Sequence, residues 1–415
     1  MFRSTVLVVA RIVLCSLALA PLASAADKEK VLLNLDSETP DPHGLFSDPA
    51  GNLYGVSFSG GGLHYGAVFE LSRRGDGTWK ETILYSFCGN WCGSGPGGTL
   101  ALDSAGNIYG ATTQGGAYHY YGVAFQLVRH PDGSWHENIL HSFGGKGDGT
   151  FAGGLVIDAQ GNLYGTTLTG GTTCPPYPGC GVIYELKPRG NGKWTYKVLH
   201  KFEGKDGNQP GGLTMDAAGN LYGGTLYGGR WPCNPQGFGC GVVFELSPEE
   251  NGKWDFKLLH SFDGRDGGMV WSYLSIDSLG RLYGTTAEGG DLNGCDAPYG
   301  CGVVFQLAPE ANGKWREKVL HASHLPKHNN LEALAVDGSG NVYVTSAQGG
   351  TDDDGAVFEL TATTHGDWNV TSLHSFNDKD GNDPNDLFFG SDGNLYGTTG
   401  AGGAYNSGTL FELTP

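Results

Sequence analysis

One phrase, Gly-Asn-Leu-Tyr-Gly-Thr-Thr with small variations, occurs seven times along the chain. Its tyrosines are Tyr54, Tyr109, Tyr164, Tyr222, Tyr283, Tyr343 and Tyr396, separated by 55, 55, 58, 61, 60 and 53 residues. Self-similarity at a near-constant period outranks local signals, because each copy is one supersecondary unit that buries its apolar faces only against its neighbours.

The fourth unit shows what each copy contains. Gly212–Asp216 reads as a short strand A and Ala217–Asn220 as a tight turn. Leu221–Thr225 makes strand B, Leu226–Gly239 a loop, and Gly241–Leu246 strand C. After a Pro/Gly/Asn turn over Ser247–Lys253, Trp254–Phe262 makes strand D. Strands of about five residues, rich in Val, Phe, Tyr and Thr and bounded by turn residues, indicate antiparallel sheet. Four strands in roughly 56 residues fit a propeller blade.

Seven A, seven B and seven C strands are found, but only six D strands, begun by Trp79, Trp135, Trp194, Trp254, Trp315 and Trp368. Val31-Leu32-Leu33-Asn34-Leu35 aligns with Ile139-Leu140-His141-Ser142-Phe143 and supplies the seventh. The expected fold is all-β: a seven-bladed propeller, one domain over 26–415, closed by the N-terminal strand pairing with the last blade. Closure removes the open sheet edges that invite aggregation.

The first 25 residues read as a secretory leader. Arg3 is the basic n-region, Ile12–Leu19 the apolar h-region and Ala23-Ser24-Ala25 the cleavage site. The apolar run between Arg11 and Pro21 is far shorter than the ~18–20 residues of a membrane span. Cys15 follows the bulky Leu14, which argues against lipid modification. Without Arg3 and Arg11 the chain carries 43 acidic and 23 basic residues, a formal charge of −20. Such a surface disfavours nucleic acid and anionic membranes and suits neutral ligands, cations or solubility. A monomer released to the periplasm or the exterior is expected.

The remaining eight cysteines fall into four close pairs: Cys88/Cys92, Cys174/Cys180, Cys233/Cys240 and Cys295/Cys301. Eight cysteines permit 105 pairings, yet the last three pairs recur at one place in successive repeats, so a local bond within each loop is the simplest reading. Zinc is disfavoured: no C-x-x-C occurs and no histidine accompanies the pairs.

The full phrase, Gly-Gly-Leu…Asp…Gly-Asn-Leu-Tyr-Gly-Thr-Thr…Gly-Gly…Gly-Val-Val-Phe-Glu-Leu…Trp…Leu-His-Ser-Phe, resembles the GloVer-type tandem repeat of exported bacterial proteins. The resemblance covers about residues 31–415 and implies export and repetition, without an activity. Unlike anchored members, this chain has no sorting tail after Pro415, so release rather than surface attachment is expected.

Three sets of chemically suggestive residues read as structure. His141, His200, His260, His321 and His374 share one D-strand slot with Tyr85 and Leu33, as a packing position would. Glu70, Glu185, Glu245, Glu359 and Glu412 exchange with Gln126 and Gln306 on strand C, which suits hydrogen bonding better than paired-carboxylate catalysis. Asp103, Asp158, Asp216, Asp277 and Asp337 precede the A–B turns and cap their backbones.

A propeller places B–C loops and D–A crossovers on one face and A–B and C–D turns on the other. The B–C loops vary most, and variation on one face of a repetitive scaffold is where binding concentrates. Their rings suit stacking on sugars: His64, Tyr65, Tyr118, His119, Tyr120, Tyr121, Tyr177, Tyr227, Trp231, Phe238 and Tyr299. Trp231 and Tyr118–Tyr121 are least explained by the repeat; the alternative is that these rings pack the loops together. Calcium is the one cofactor raised, through Asp378, Asp380 and Asp383 in the last crossover and, less directly, Asp352-Asp353-Asp354. No Gly-x-Ser-x-Gly, His-Glu-x-x-His or phosphate loop occurs.

The expected function is a secreted binding module for extracellular glycan or a cell-surface partner. The alternatives are a polysaccharide lyase or hydrolase with its site in the central funnel, and a protein-interaction scaffold.

Overall fold

The computed structural model describes residues 29–144, 147–230, 238–292, 299–324 and 331–415. The expected leader segment, Trp231, Cys233 and Cys295 lie outside them. Six sheets contain four antiparallel strands in sequential order, and a seventh is completed from the other end of the chain. There Glu29–Asn34 pairs with Thr409–Leu413, with Glu29 opposite Leu413 and Asn34 opposite Thr409. The seventh blade's strand A is split into Asn382–Pro384 and Phe388–Phe389, both on Leu395–Ala401. Among the described residues no helix is long and apolar enough to cross a membrane.

The repeat phrase encodes its own turn. In blade 2, Asp103 Oδ1 accepts the backbone N–H groups of Ala105 and Asn107, each at 2.9 Å. Its Oδ2 accepts Asn107 Nδ2 at 2.8 Å and the Tyr109 hydroxyl at 2.9 Å. Gln126 Nε2 donates to the same hydroxyl at 2.9 Å. Where strand C carries a carboxylate, the tyrosine donates instead, as Tyr343 does to Glu359 at 3.1 Å. Either side chain satisfies the phenol, which is why Glu and Gln interchange.

Blades pack through a second recurring device. The Phe after strand D meets a strand-C ring of the next blade at a steep angle: edge-on for Phe87 on Phe125, Phe143 on Tyr184, Phe202 on Phe244 and Phe262 on Phe305, and tilted for Phe376 on Phe411, with centroids 5.0–5.3 Å apart. Between blades 5 and 6 that Phe is Ser323, and an apolar cavity of about 230 Å³ lies beside it, lined by Val304, Leu331, Val344, Phe358 and Val370. The ring closes by the same means. Trp79 of blade 1 packs edge-on against Tyr396 of blade 7 at 6.2 Å, as Trp254 packs on Tyr164 of the preceding blade at 5.4 Å.

The A strands form the inner wall and begin earlier than the sequence pattern suggests. Blade 4 starts at Asn208, and a register break between Pro210 and Leu213 carries its extra residues. At six blades the described residue that opens the A strand is left-handed: Asp41 (φ 51°), Gly95 (59°), Phe151 (56°), Gln209 (58°), Met269 (60°) and Asp383 (62°). Non-glycine residues rarely adopt this geometry. Here its N–H reaches back to the preceding blade: Gln209 to Cys180 O at 2.9 Å, Met269 to Cys240 O at 2.9 Å and Asp383 to Asp354 O at 3.1 Å. These bonds join crossovers to B–C loops, so both lie on one face.

Close to the axis, side chains at Gly44, Gly98 and Gly154 would collide with the neighbouring blade's backbone. Tyr273 of blade 5 uses that space. Its ring lies against Gly212, and its hydroxyl accepts the Thr99 N–H at 2.9 Å from blade 2.

Candidate functional site

On the B–C and D–A face, the sequence-expected rings divide into two groups. In blades 1 and 2 they are exposed: Tyr65 at 48%, Tyr118 at 57% and Tyr120 at 72%. His119 and Tyr121 stand beside them. The loop that carries them is tight. His119 is left-handed at φ 67°, its carbonyl accepts Gly115 N–H, and its N–H returns to Gly116 O. So short a turn leaves its side chains nowhere to go but outward. Tyr65 rests over Gly89 and Tyr118 over Gly144, where a Cβ would crowd the rings.

Trp91, absent from the sequence-expected set, is the centre of this arc. It is 65% exposed and meets His119 edge-on at 4.9 Å. The Cys88–Cys92 bond, with Cα atoms 5.6 Å apart, brackets it within its crossover. A Trp inside a five-residue cystine loop is a signal readable in the sequence, although it stands in a crossover rather than in a B–C loop. Phe58, also exposed, extends the arc towards the axis, where it packs on Gly95.

In blades 3 and 4 the rings pack on one another. Tyr177 stacks on Tyr227 at 5.9 Å, and Phe238 contacts both at 5.7 and 5.4 Å. The Cys174–Cys180 bond is present. Cys240 and Cys301 are also disulfide-bonded, although their expected partners lie outside the described residues. Tyr299 is half-buried, and its carbonyl accepts the Gly289 N–H at 2.7 Å.

At the funnel mouth, carboxylates from three blades converge. Burial, then Asp383 and Asp386, pushes the Glu332 carboxyl up to about 7. Burial raises Asp383, with Asp41 adding to it. Burial also raises Asp386, although Leu45 N–H donates to it at 3.1 Å and Thr398 Oγ1 at 3.2 Å. His43 and Asn385 complete this wall, Asn385 donating to Pro42 O at 3.0 Å. The wall contributed by blades 2 to 5 is mostly glycine and apolar, with Phe151, Met269 and the half-exposed Trp271, and Gln209 as its polar member. Of these residues the sequence points only to Asp383, and to calcium rather than to this wall; the others share no recurring type.

The three acids proposed for calcium are not brought together. Asp380 turns to His374 at 3.4 Å and accepts from Asn377. Asp378 accepts Asn382 Nδ2 at 3.2 Å. Asp383 faces Asp41 across Gly400. A left-handed Asp383 points its side chain to the axis, away from the crossover turn.

On the opposite face a groove of about 750 Å³ lies between blades 3 and 4, lined by Asp158, Glu185, Lys187, Lys197, Asp216 and Trp254. Its Lys197 donates to Gly252 O at 3.3 Å, as Lys257 does to Gly313 O at the next seam at 2.9 Å. The groove is a blade seam made of turn-capping residues.

The family model described as the Gloeobacter/Verrucomicrobia repeat matches residues 22–229 and 293–415. Comparison with curated proteins gives no match. Among solved structures, the chain is similar to the extracellular domains of two hybrid two-component systems of B. thetaiotaomicron. One has 12% identity and a TM-score of 0.57 over 93% of this chain and 39% of that one. The other has 13% identity and a TM-score of 0.54 over 94% and 41%. It is also similar to PorZ, a surface component of the type-IX secretion system of Porphyromonas gingivalis, at 14% identity and a TM-score of 0.55 over 92% and 47%. At these identities the likeness concerns the fold. The chain spans less than half the length of each of these proteins.

Proposed function

This chain belongs to the Gloeobacter/Verrucomicrobia repeat family, and from that premise we propose that it is an exported binding module for extracellular glycan. Export is supported by the leader sequence and by cystines, which persist in oxidising compartments. The similar folds occur in proteins described as extracellular or as surface components. The observation that carries the glycan reading is the exposed arc Tyr65–Trp91–Tyr118–Tyr120. Flat apolar rings with polar edges match the C–H faces of pyranoses, and an acidic protein with a rigid cystine-framed tryptophan binds a neutral chain without charge pairing.

The test is retention on a panel of insoluble polysaccharides, with assay of the supernatant for soluble oligomers. Retention without release, abolished by Trp91→Ala, is expected. Absence of retention on every polysaccharide would remove the glycan reading.

The funnel favours a second reading, a polysaccharide-active enzyme. Glu332, held up to about 7 beside Asp383 and Asp386, has the character of a general acid. Release of oligomers by the wild-type chain but not by Glu332→Gln would establish this reading.

A further inference from the structure

The outer edge of each blade seam is built by one pairing. The residue six after the strand-D Trp in one blade meets the residue two after that Trp in the next. Tyr85 donates to Glu137 at 3.0 Å, His141 stacks on Tyr196 at 4.1 Å, and His200 stacks on Phe256 at 3.9 Å. The histidines also pair with a crossover aspartate: His141–Asp148 at 3.1 Å, and His200–Asp206 and His260–Asp266 at 2.8 Å. Between blades 6 and 7 the N-terminal strand provides strand D. Its register, Glu29 opposite Leu413, matches Phe256 opposite Leu246. Glu29 therefore takes the place where Tyr196 and Phe256 cover the imidazole.

Glu317 takes the same place beside His260, but there the His260–Asp266 pair is closed at 2.8 Å. Glu29, His374 and Asp380 each offer a donor atom, all within 4.8 Å of one another. The His374 Nε2–Asp380 Oδ2 separation opens to 3.4 Å, against 2.8–3.1 Å at the other three pairs. Two ligands bound tetrahedrally at ~2.0–2.1 Å lie about 3.4 Å apart. His374 is 9% and Asp380 20% exposed, and Asn377 holds Asp380 by N–H and Nδ2 at 2.8 and 2.7 Å, an outer contact of the kind that orients a metal ligand.

We propose that Glu29, His374 and Asp380 bind a divalent transition metal of the zinc class, which ties the ring-closing N-terminal strand to blade 6. Two carboxylates neutralise the cation, and water fills the fourth position. An imidazole among three protein donors selects zinc, nickel or cobalt over calcium, which takes six to eight oxygens. The site is independent of the glycan face.

The test titrates the chelator-treated full chain with Zn²⁺ by calorimetry, with Co²⁺ absorption and thermal unfolding in parallel. One equivalent is expected to bind at micromolar affinity or better, raising the midpoint by a few degrees. Glu29→Gln, nearly isosteric, should weaken binding at least tenfold. His374→Phe, which keeps the edge-on ring contact with Phe376, should abolish it. His200→Phe should leave it unchanged. Absence of stoichiometric binding, or equal binding by the Glu29→Gln variant and the wild-type chain, would overturn the proposal.

Discussion

Blades 1–2 and blades 3–4 both carry aromatic loops on the same face, yet they put their rings to opposite uses. Tyr177, Tyr227 and Phe238 bury their faces on one another. Tyr118 and Tyr120 stand on a turn too short to fold back, and Trp91 is held out by a cystine that spans only its own crossover. Loop length is the physical difference. A longer loop can return its rings to a neighbour, whereas a tight one spends its conformational freedom on the turn. An aromatic residue in a variable loop is therefore not by itself a contact residue.

The largest effect expected from this contrast is on binding. Trp91→Ala should cost about 2–3 kcal/mol of glycan affinity, as central aromatic anchors do, with an unchanged thermal midpoint. Isothermal binding and melting curves on the same sample check both halves. Equal affinity would move the contact surface elsewhere.

Next comes the loop that the contrast assigns to structure. Cys174→Ala with Cys180→Ala should lower stability by about 2 kcal/mol through the freed unfolded chain, measured by denaturant unfolding, while retention on polysaccharide stays intact. A loss of retention with wild-type stability would reverse the two roles.

The seams beneath the loops sharpen the comparison by pH. Between blades 1 and 2 the partner of Tyr85 is Glu137, pushed up to about 7 by burial; between blades 3 and 4 it is the ring of Phe256. Glu137 ionises near 4.3 in an unfolded chain. Its protonated form thus supports the fold fully below that value, and the support is lost as pH rises to about 7. Glu137→Gln should be more stable than the parent by about 1–2 kcal/mol at pH 8, with the difference vanishing near pH 4. A difference independent of pH would place the effect in packing. The smallest change expected is Tyr227→Ala, which should cost about 1 kcal/mol of stability by thermal melting and nothing in binding.

Much of this was legible beforehand because the repeat is local chemistry. Each Asp-x-x-x-Asn-x-Tyr phrase makes the same bonds within seven residues, so blade count, strand order and the structural reading of the Asp and Glu/Gln positions followed from spacing. The D-strand slot was likewise recognisable as packing, since it accepts Leu, Tyr and His. What spacing could not convey was where a side chain points after a left-handed residue. Asp383 was grouped with Asp378 and Asp380 by proximity in the chain, but φ 62° turns it to the axis.

The sequence by itself determined the seven units, the missing strand that must come from the amino end, and the pairing of Cys88 with Cys92 and Cys174 with Cys180. Each is a matter of short-range pattern or of counting. Only the closed ring decided that Tyr273 reaches Thr99 across the channel, that Glu332 faces Asp386, and that Glu29 meets His374. These residues are far apart in the chain and share no motif. They meet because closing seven twisted sheets on one axis leaves a single place for the residues of each inner and outer edge.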